Sequence, residues 1–207
     1  MTRINKPILK QSPPSKKNLR SFEWQEMAGR FDEIKKVITT LGQQKFAVRA
    51  HRYDEEASFP FENYADMREA GLLAMTVPKS FGGLGIEYSE YALLAAEMGR
   101  WCGATALTYN MHACTPLWSG HIADDLDMPL VDRKQHKKNC ELHFSRIVHD
   151  GAIFAQPFSE SSAAAAGKVP FGTTAAKVDG GWLLNGTKIF ASLSGAATYY
   201  GILCTEQ

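Results

Sequence analysis

The spacing of apolar residues changes near Asp150, and this change limits the folds that the chain can adopt. Before Asp150, apolar side chains recur every three or four residues, as they do on one face of a helix. The first such run consists of Trp24, Met27, Phe31, Ile34, Ile38 and Leu41. After Asp150, short apolar runs alternate with turn residues, which is typical of β-strands. The sequence therefore predicts an α+β fold, in which an N-terminal α-helical bundle domain is followed by a β-domain.

Glycine and proline mark the limits of the predicted helices. Gly42 is expected to bend or interrupt the first helix, and Pro60 to end its continuation. Gly71 suits the left-handed position that follows a helix. The later helices are predicted at residues 61–70, 88–101, 103–118 and 134–148, with an acidic connector at 124–133. The helix at 103–118 is small and apolar nearly all round, which indicates that it is buried inside the bundle.

Short strands are predicted throughout the β-domain. They are expected at residues 152–158, 173–178, 182–184, 188–192 and 199–205. Asp179-Gly180-Gly181 is expected to form a turn, and Asn185-Gly186 is the strongest short hairpin signal in the chain. The last two strands are expected to pair with each other. Because the last one ends close to Gln207, we expect an incomplete antiparallel β-domain with an unpaired apolar edge.

The first twenty residues differ in charge from the rest of the chain. They contain six of the 23 basic residues and none of the 22 acidic ones. Three prolines and the lack of an apolar period favour a flexible basic tail over a packed helix or a transit peptide. The predicted domains are therefore a tail at 1–20, a helical domain at 21–150 and a β-domain at 151–207.

Composition excludes several classes of partner and site. The net charge of +1 argues against a nucleic-acid partner. No stretch is apolar for long enough to span a membrane. None of the four cysteines falls in a CxxC pair, so we predict no metal site and interpret the cysteines as reduced thiols of a cytoplasmic protein. His136, His143 and His149 lie in a polar stretch and are predicted to be surface residues.

Residue patterns alone do not identify a chemical site. The glycines of segment 81–85 lack the strand-to-helix context and the Lys-Ser/Thr of a phosphate loop, so we interpret the segment as a tight turn. Glu160 lies between serines and, taken alone, is interpreted as a solvated carboxylate. No Ser-His-Asp order, HExxH motif or paired-carboxylate motif is present, and we predict no catalytic residue.

Four separated motifs resemble those of acyl-CoA dehydrogenases and occur in the same order. The longest, 69–85, is Glu-Ala-Gly-Leu-Leu-Ala-Met-Thr-Val-Pro-Lys-Ser-Phe-Gly-Gly-Leu-Gly, and the helix that begins at Tyr88 follows it. Upstream, Tyr53-Asp54-Glu55 and Phe59-Pro60 are similar to the first interhelical turn of the family. Downstream, residues 182–192 are similar to its Y-x-L-N-G-x-K-x-W-I-T hairpin. The resemblance extends from about residue 24 to the end.

The resemblance implies a flavin site on the β-domain. The family has a helical domain, a middle β-domain against which the flavin of FAD lies, and a second helical domain. Residues 155–160 take the place of its flavin-contacting strand, and residues 190 and 192 belong to the segment that resembles its hairpin. The resemblance therefore implies cofactor-binding roles for five residues. They are Gln156, Phe158, Ser159, Phe190 and Ser192. In the family pattern, Phe158 offers backbone hydrogen bonds and Ser159 a hydroxyl, while Phe190 stands for a Trp beside the flavin and Ser192 for a Thr near flavin N5.

The resemblance also implies an activity and partners. Members oxidise an acyl-CoA thioester between its α and β carbons in fatty-acid metabolism, and pass electrons to a partner protein. The family base is a Glu of the second helical domain, and no residue here matches it. We therefore expect an N-terminal fragment that is inactive alone and forms homo-oligomers only with that domain. Segment 161–167 departs from the family's Pro-Gly-Ala-Gly-Ser-Asp, which puts the substrate class in doubt.

Two other functions remain open from the sequence. The same fold also carries acyl-CoA oxidases and flavin monooxygenases, so a truncated monooxygenase is one alternative. A non-catalytic helical interaction module with a vestigial sheet is the other. Flavin binding would separate the second alternative from both enzymes.

Overall fold

The structure is a computed structural model that describes residues 29–118, 126–161 and 169–207. The predicted basic tail and the start of the first helical run, Trp24 and Met27, lie outside these residues. The helices are α1 (Arg30–Leu41), α2 (Ala47–Glu55), α3 (Phe61–Glu69), α4 (Tyr88–Gly99), α5 (Gly103–Pro116) and α6 (Leu130–Asp150). Two short 3₁₀ turns, Leu72–Ala74 and Lys79–Phe81, lie between α3 and α4. None of these described helices is both long and apolar enough to cross a membrane.

The interruption predicted at Gly42 is a π-helical turn. It spans Gly42–Phe46 and joins α1 to α2 without a loop. Gly42 is buried, and a Cβ atom there would lie 2.2 Å from the Trp101 indole. The glycine thus lets the aromatic ring pack directly on the helix backbone, which a larger residue would prevent.

The core of the helical part lies between α1, α4, α5, α6 and segment 72–77, which precedes the turn at 81–85. Its largest fully buried side chains include Tyr64, Tyr109, Phe46, Phe144 and Ile38. Several buried polar side chains in this core are hydrogen-bonded, which offsets the cost of removing them from water. The Asn63 amide donates to the Thr105 hydroxyl at 2.9 Å, and the Thr76 hydroxyl donates to the Ala113 carbonyl at 3.1 Å.

Segment 81–85 is the tight turn that its sequence predicts. The N–H groups of Leu84 and Ile86 donate to the carbonyls of Ala74 and Met75 at 3.0 and 2.9 Å. This pairing folds the turn back onto the buried run before it. A Cβ on Gly83 would lie 2.1 Å from the Val77 carbonyl oxygen, so the close approach requires glycine.

Helix α6 is longer than predicted. It begins at Leu130 rather than at 134, so residues 130–133 are helical and not part of a connector. Leu130 and Val131 are 77% and 71% exposed, and therefore add no apolar stripe that could reveal the first turn. The helix ends at Gly151, whose φ of 62° is the left-handed conformation that glycine adopts without strain.

The strands form two small sheets after α6. They are β1 (Phe154–Ala155), β2 (Thr174–Val178), β3 (Gly181–Asn185), β4 (Tyr199–Tyr200) and β5 (Thr205–Glu206). One sheet pairs β1 with β4 in parallel, and the other has the order β3-β2-β5. The β2–β3 pair is antiparallel, as predicted, whereas β2–β5 is parallel. The α+β class, with helices first and a β-part of few strands after them, is confirmed.

Several details of the predicted strands are wrong. The hairpin turns at Asp179-Gly180, where Val178 pairs with Gly181, so Asn185-Gly186 lies at the far end of β3. Segment 188–192 is not a strand, because Phe190 has a positive φ of 54° and breaks the extended backbone. It therefore does not pair with segment 199–205, which contains β4 and the first residue of β5, and these strands pair with β1 and β2. Among the described strands, β3 has β2 as its one neighbour, and the side chains of Trp182, Leu183 and Leu184 are exposed.

Candidate functional site

The candidate site consists of two chain segments, 156–160 and 188–192, that lie side by side. The first segment follows β1, which is completely buried between α5 and β4. The second follows β3 and approaches the first through a backbone hydrogen bond, in which the Ile189 N–H donates to the Ser159 carbonyl at 2.9 Å. The structure thus brings Phe158 and Ser159 close in space to the segment that contains Phe190 and Ser192.

Glu160 is the residue whose environment differs most from its prediction. Its carboxylate accepts hydrogen bonds from the N–H groups of Gly172 and Thr173 at 2.7 and 3.0 Å. The Lys188 ammonium lies 2.7 Å from Oε1, and these two side chains are only 6% and 9% exposed. The interpretation as a solvated carboxylate is therefore wrong. Lys188 chiefly, and then Thr173, lowers the pKa of Glu160 to about 2, so the group is ionised at neutral pH.

Phe190 and Ser192 lie on the outer part of the site. The Phe190 side chain is 84% exposed, and its backbone has a positive φ of 54°. The Ser192 N–H donates to the Phe190 carbonyl at 2.9 Å, which closes a tight turn between them. A non-glycine residue with positive φ is strained, and an exposed apolar ring is unfavourable in water.

Phe158 and Gln156 contact helix α5 and its C-terminal turn. The Phe158 ring lies 4.9 Å from the ring of Trp118, which is 48% exposed. The Gln156 amide donates to the Thr115 hydroxyl at 2.7 Å. A Cβ on Gly201 would meet the same amide at 3.0–3.3 Å, so Gln156 is enclosed from that side as well. Gln156 therefore fastens the segment to the helical part, while Phe158 and Trp118 form an aromatic pair near the surface.

His112 is a structural partner of the site that the sequence analysis missed. It lies on α5, is completely buried, and contacts two other elements. Nδ1 accepts the Phe154 N–H of β1 at 3.1 Å, and Nε2 lies 2.8 Å from the Leu73 carbonyl oxygen. Because an amide N–H can only donate and a carbonyl can only accept, the ring must be neutral with its proton on Nε2. The sequence offered one signal for this role, because His112 lies in a helix that is predicted to be buried on all sides. A buried imidazole needs a hydrogen-bond partner for each ring nitrogen.

The remaining histidines and the cysteines follow the predictions only in part. His149 is exposed, but His143 is half-buried with its ring 5.6 Å from Phe154, so the surface prediction for His143 is wrong. All four cysteines are free thiols, and two of them, Cys102 and Cys140, are buried in the core. Within the described ranges, no group of three His, Cys, Asp or Glu residues could hold a metal ion.

Comparisons with known proteins agree with the motif order. Residues 30–120 match the model of the acyl-CoA dehydrogenase N-terminal domain. A putative acyl-CoA dehydrogenase of Bacillus subtilis is 28% identical over 187 residues, which cover 88% of this chain and 42% of that protein. The mitochondrial isovaleryl-CoA dehydrogenase of Arabidopsis thaliana is 27% identical, over 84% of this chain and 41% of that protein. The chain is therefore similar to acyl-CoA dehydrogenases over most of its length, and residues 30–120 match their N-terminal domain.

Solved structures share the fold of this chain. The FMN-bound TdsC of Paenibacillus sp. A11-2 superposes with a TM-score of 0.66 at 21% identity, over 84% of this chain and 40% of that one. The nitrososynthase of Micromonospora carbonacea var. africana superposes with a TM-score of 0.69 at 19% identity, over 86% and 42%. The chain thus spans about two fifths of the length of the family members and structures that it matches.

One part of the family motif cannot be compared in the structure. Segment 161–167 departs from the family sequence, and residues 162–168 lie outside the described ranges. The preceding Glu160 and the following Gly172 are joined by a hydrogen bond at 2.7 Å.

Proposed function

We propose that the chain supplies the N-terminal helical domain and the first flavin-contacting segments of an FAD-dependent acyl-CoA dehydrogenase-like oxidoreductase, which oxidises an acyl-CoA thioester between its α and β carbons. The observation that supports this proposal most directly is the pairing of segments 156–160 and 188–192. The pairing joins Ile189, the neighbour of the exposed Phe190, to the backbone of Ser159. We choose a flavin as the ligand because the chain is similar to acyl-CoA dehydrogenases.

The residues present fit a flavin ring in their chemistry. Phe190 offers an exposed aromatic face, Ser192 and Ser159 offer hydroxyls, and Phe158 offers backbone groups at the same surface. The strained turn at Phe190 holds the ring outward rather than in the core. When bound, the flavin would accept the β-hydrogen of the substrate as a hydride. The cofactor-binding set Gln156, Phe158, Ser159, Phe190 and Ser192 remains a proposal, in which Gln156 holds the segment rather than the ligand.

We assign the catalytic base to no residue. Removal of the α-proton needs a carboxylate with an open approach to the substrate. Glu160, the carboxylate nearest the site, is ionised but fully engaged by Lys188 and two backbone N–H groups. It serves as a structural anion in this arrangement. We further propose acyl-CoA and an electron-transfer protein as partners of the whole protein, a homo-oligomeric assembly, and a cytoplasmic location in keeping with its free thiols.

A flavin monooxygenase is the second candidate function. It is favoured by the fold match to TdsC, which is a dibenzothiophene monooxygenase. A second structure of TdsC superposes on this chain with a TM-score of 0.63. The two functions differ in their need for oxygen. Reduction of an artificial electron acceptor by acyl-CoA without oxygen would support the dehydrogenase, whereas oxygen-dependent turnover with a separate flavin reductase would support the monooxygenase.

Flavin titration tests the proposal directly. We expect FAD, added to the chain, to show saturable quenching of its fluorescence. Phe190→Ala and Ser192→Ala should each weaken binding about 2- to 10-fold, because an aromatic contact or a hydrogen bond contributes about 0.5–1.5 kcal/mol. Tyr88→Ala is the matched control, since Tyr88 is 73% exposed on α4, away from the two segments. Equal affinities for all four proteins would contradict the assignment, and FMN titrated in parallel tests the choice of FAD.

A further inference from the structure

We propose that Glu160 and Lys188 are positioning residues, whose buried ion pair holds the two flavin-contacting segments in the arrangement that a flavin ring requires. The inference rests on the proposed function and extends it to two residues that face away from the ligand. Neither side chain is free to contact a flavin, because both are more than nine-tenths buried against the chain itself. They act through Phe158 and Phe190, which they hold in place.

The ion pair gathers three separate parts of the chain. Glu160 belongs to the first flavin-contacting segment and binds the backbone at the start of β2, through Gly172 and Thr173. Lys188 belongs to the second segment. Its ammonium contacts Glu160 at 2.7 Å and the Phe158 carbonyl at 3.4 Å, and lies 4.2 Å from the centre of the Phe171 ring. Loss of one charge would therefore loosen all three parts together.

The second segment depends on this pair because it has little regular structure. Residues 188–192 form no strand, and the Ile189–Ser159 hydrogen bond is their described backbone contact with the first segment. Phe190 follows Lys188 by two residues and is itself exposed, so it has no packing of its own to hold it. The Lys188 ammonium and the Ile189–Ser159 hydrogen bond are thus the described contacts that join the second segment to the first, while Leu193 is buried just after it.

A buried ion pair suits this role better than an apolar contact. Removing two charges from water costs more than their attraction returns in many proteins, so such pairs contribute more to a defined geometry than to stability. The four hydrogen bonds of the Glu160 and Lys188 head groups have fixed directions, whereas apolar side chains could slide past one another. Removing one partner leaves the other charge buried and alone, which should displace the segments rather than let them settle in place.

Flavin affinity and hydrogen exchange, measured together, test the inference. We expect Lys188→Met and Glu160→Gln to weaken FAD binding about tenfold or more, since small misplacement of binding groups has large effects. Amide exchange of residues 189–192 should quicken in the flavin-free variants. Lys188→Arg, which keeps the charge, should retain most of the affinity. The control is Lys45→Met, which removes a 2.6 Å ion pair between the π-helical turn and Asp66 of α3 and should leave FAD affinity unchanged.

The possible outcomes separate this inference from the proposed function. If the unaltered chain binds no flavin, the proposed function is wrong. If it binds flavin and Lys188→Met binds equally well with unchanged exchange, the positioning role is wrong while the proposed function stands. If Lys188→Met fails to fold, as judged by circular dichroism, Glu160→Gln decides the matter, because the glutamine oxygen can still accept from the Gly172 and Thr173 N–H groups. A folded Glu160→Gln protein with weakened FAD binding supports the positioning role, and one that binds FAD as tightly as the unaltered chain overturns it.

Discussion

Replacing His112 with alanine is expected to lower the free energy of unfolding by about 3–5 kcal/mol. The imidazole satisfies two buried backbone groups, the Phe154 N–H and the Leu73 carbonyl, that belong to different parts of the chain. Alanine would leave both groups without a partner and would open a cavity beside Tyr109, whose ring centre is 5.6 Å away. Each orphaned buried group costs about 1–3 kcal/mol, which makes this one of the most sensitive positions in the helical part.

Urea unfolding followed by circular dichroism measures this effect. His149→Ala provides the control, because His149 lies exposed near the C-terminal end of α6. Its replacement should change the free energy of unfolding by less than about 0.5 kcal/mol. A similarly small loss for His112→Ala would show that water or another side chain can replace the imidazole, and would contradict the role of His112 as the link between α5 and β1.

The same histidine predicts a dependence of stability on pH. Burial lowers the pKa of His112 to about 4, and the Leu73 carbonyl opposes this shift only in part. The unfolded chain has the ordinary value of 6.5 and therefore takes up a proton first as the pH falls. The contribution of His112 to the free energy of unfolding is therefore fully present above pH 6.5. It is lost as the pH falls from 6.5 to about 4, and it changes no further at lower pH. The decline amounts to about 3 kcal/mol.

Unfolding curves recorded across this range, with His112→Gln for comparison, isolate that contribution. Glutamine has no ring to protonate, so the variant should be less stable at neutral pH and should lose less stability on acidification. Some slope should remain, since burial also lowers the pKa of His143. Identical slopes for the two proteins would show that His112 is not the titrating group.

Replacing Gly83 with alanine is expected to destabilise the fold by at least about 3 kcal/mol or to prevent folding. The added Cβ would lie 2.1 Å from the Val77 carbonyl oxygen and 2.4 Å from the Val77 Cβ. These atoms belong to the backbone of a buried run, which cannot move aside as the end of a flexible side chain could. The turn would have to open, and the Leu84–Ala74 and Ile86–Met75 hydrogen bonds would be lost with it.

Gly103→Ala is the matched control for this change. Gly103 begins α5, and no atom lies within 4 Å of the position that its Cβ would occupy. Alanine there should be neutral or stabilise the protein by up to about 1 kcal/mol, because it restricts the unfolded chain. Thermal melting of the two variants gives the comparison. A Gly83→Ala protein that melts with the unaltered chain would show that the turn is not tightly packed in solution.

Local pattern determined the helical part of this protein and the kind of turn that follows it. The stripe of Phe31, Ile34 and Ile38 is buried as its spacing requires. Gly42 and Gly71 mark an interruption and a helix end, and segment 81–85 is a tight turn. These features depend on residues within about four positions of one another, so their physics is contained in short stretches of sequence. The five proposed site residues, by contrast, came from resemblance, because aromatic and hydroxyl side chains in short strands have no distinctive spacing.

Only the tertiary structure decided the strand pairing and the environments of the polar groups. The Asp-Gly and Asn-Gly turns are both good hairpin signals. The hairpin turns at Asp179-Gly180, where Val178 pairs with Gly181. The pairing then extends to Thr174 and Asn185, so that Asn185-Gly186 lies at the far end of the hairpin. His112 bonds to residues 39 and 42 positions away, and Glu160 pairs with Lys188 across 28 positions. A buried polar group needs a hydrogen-bond or ionic partner, and the fold brings that partner close from a distant part of the chain. Local periodicity in the sequence therefore does not predict which residue it is.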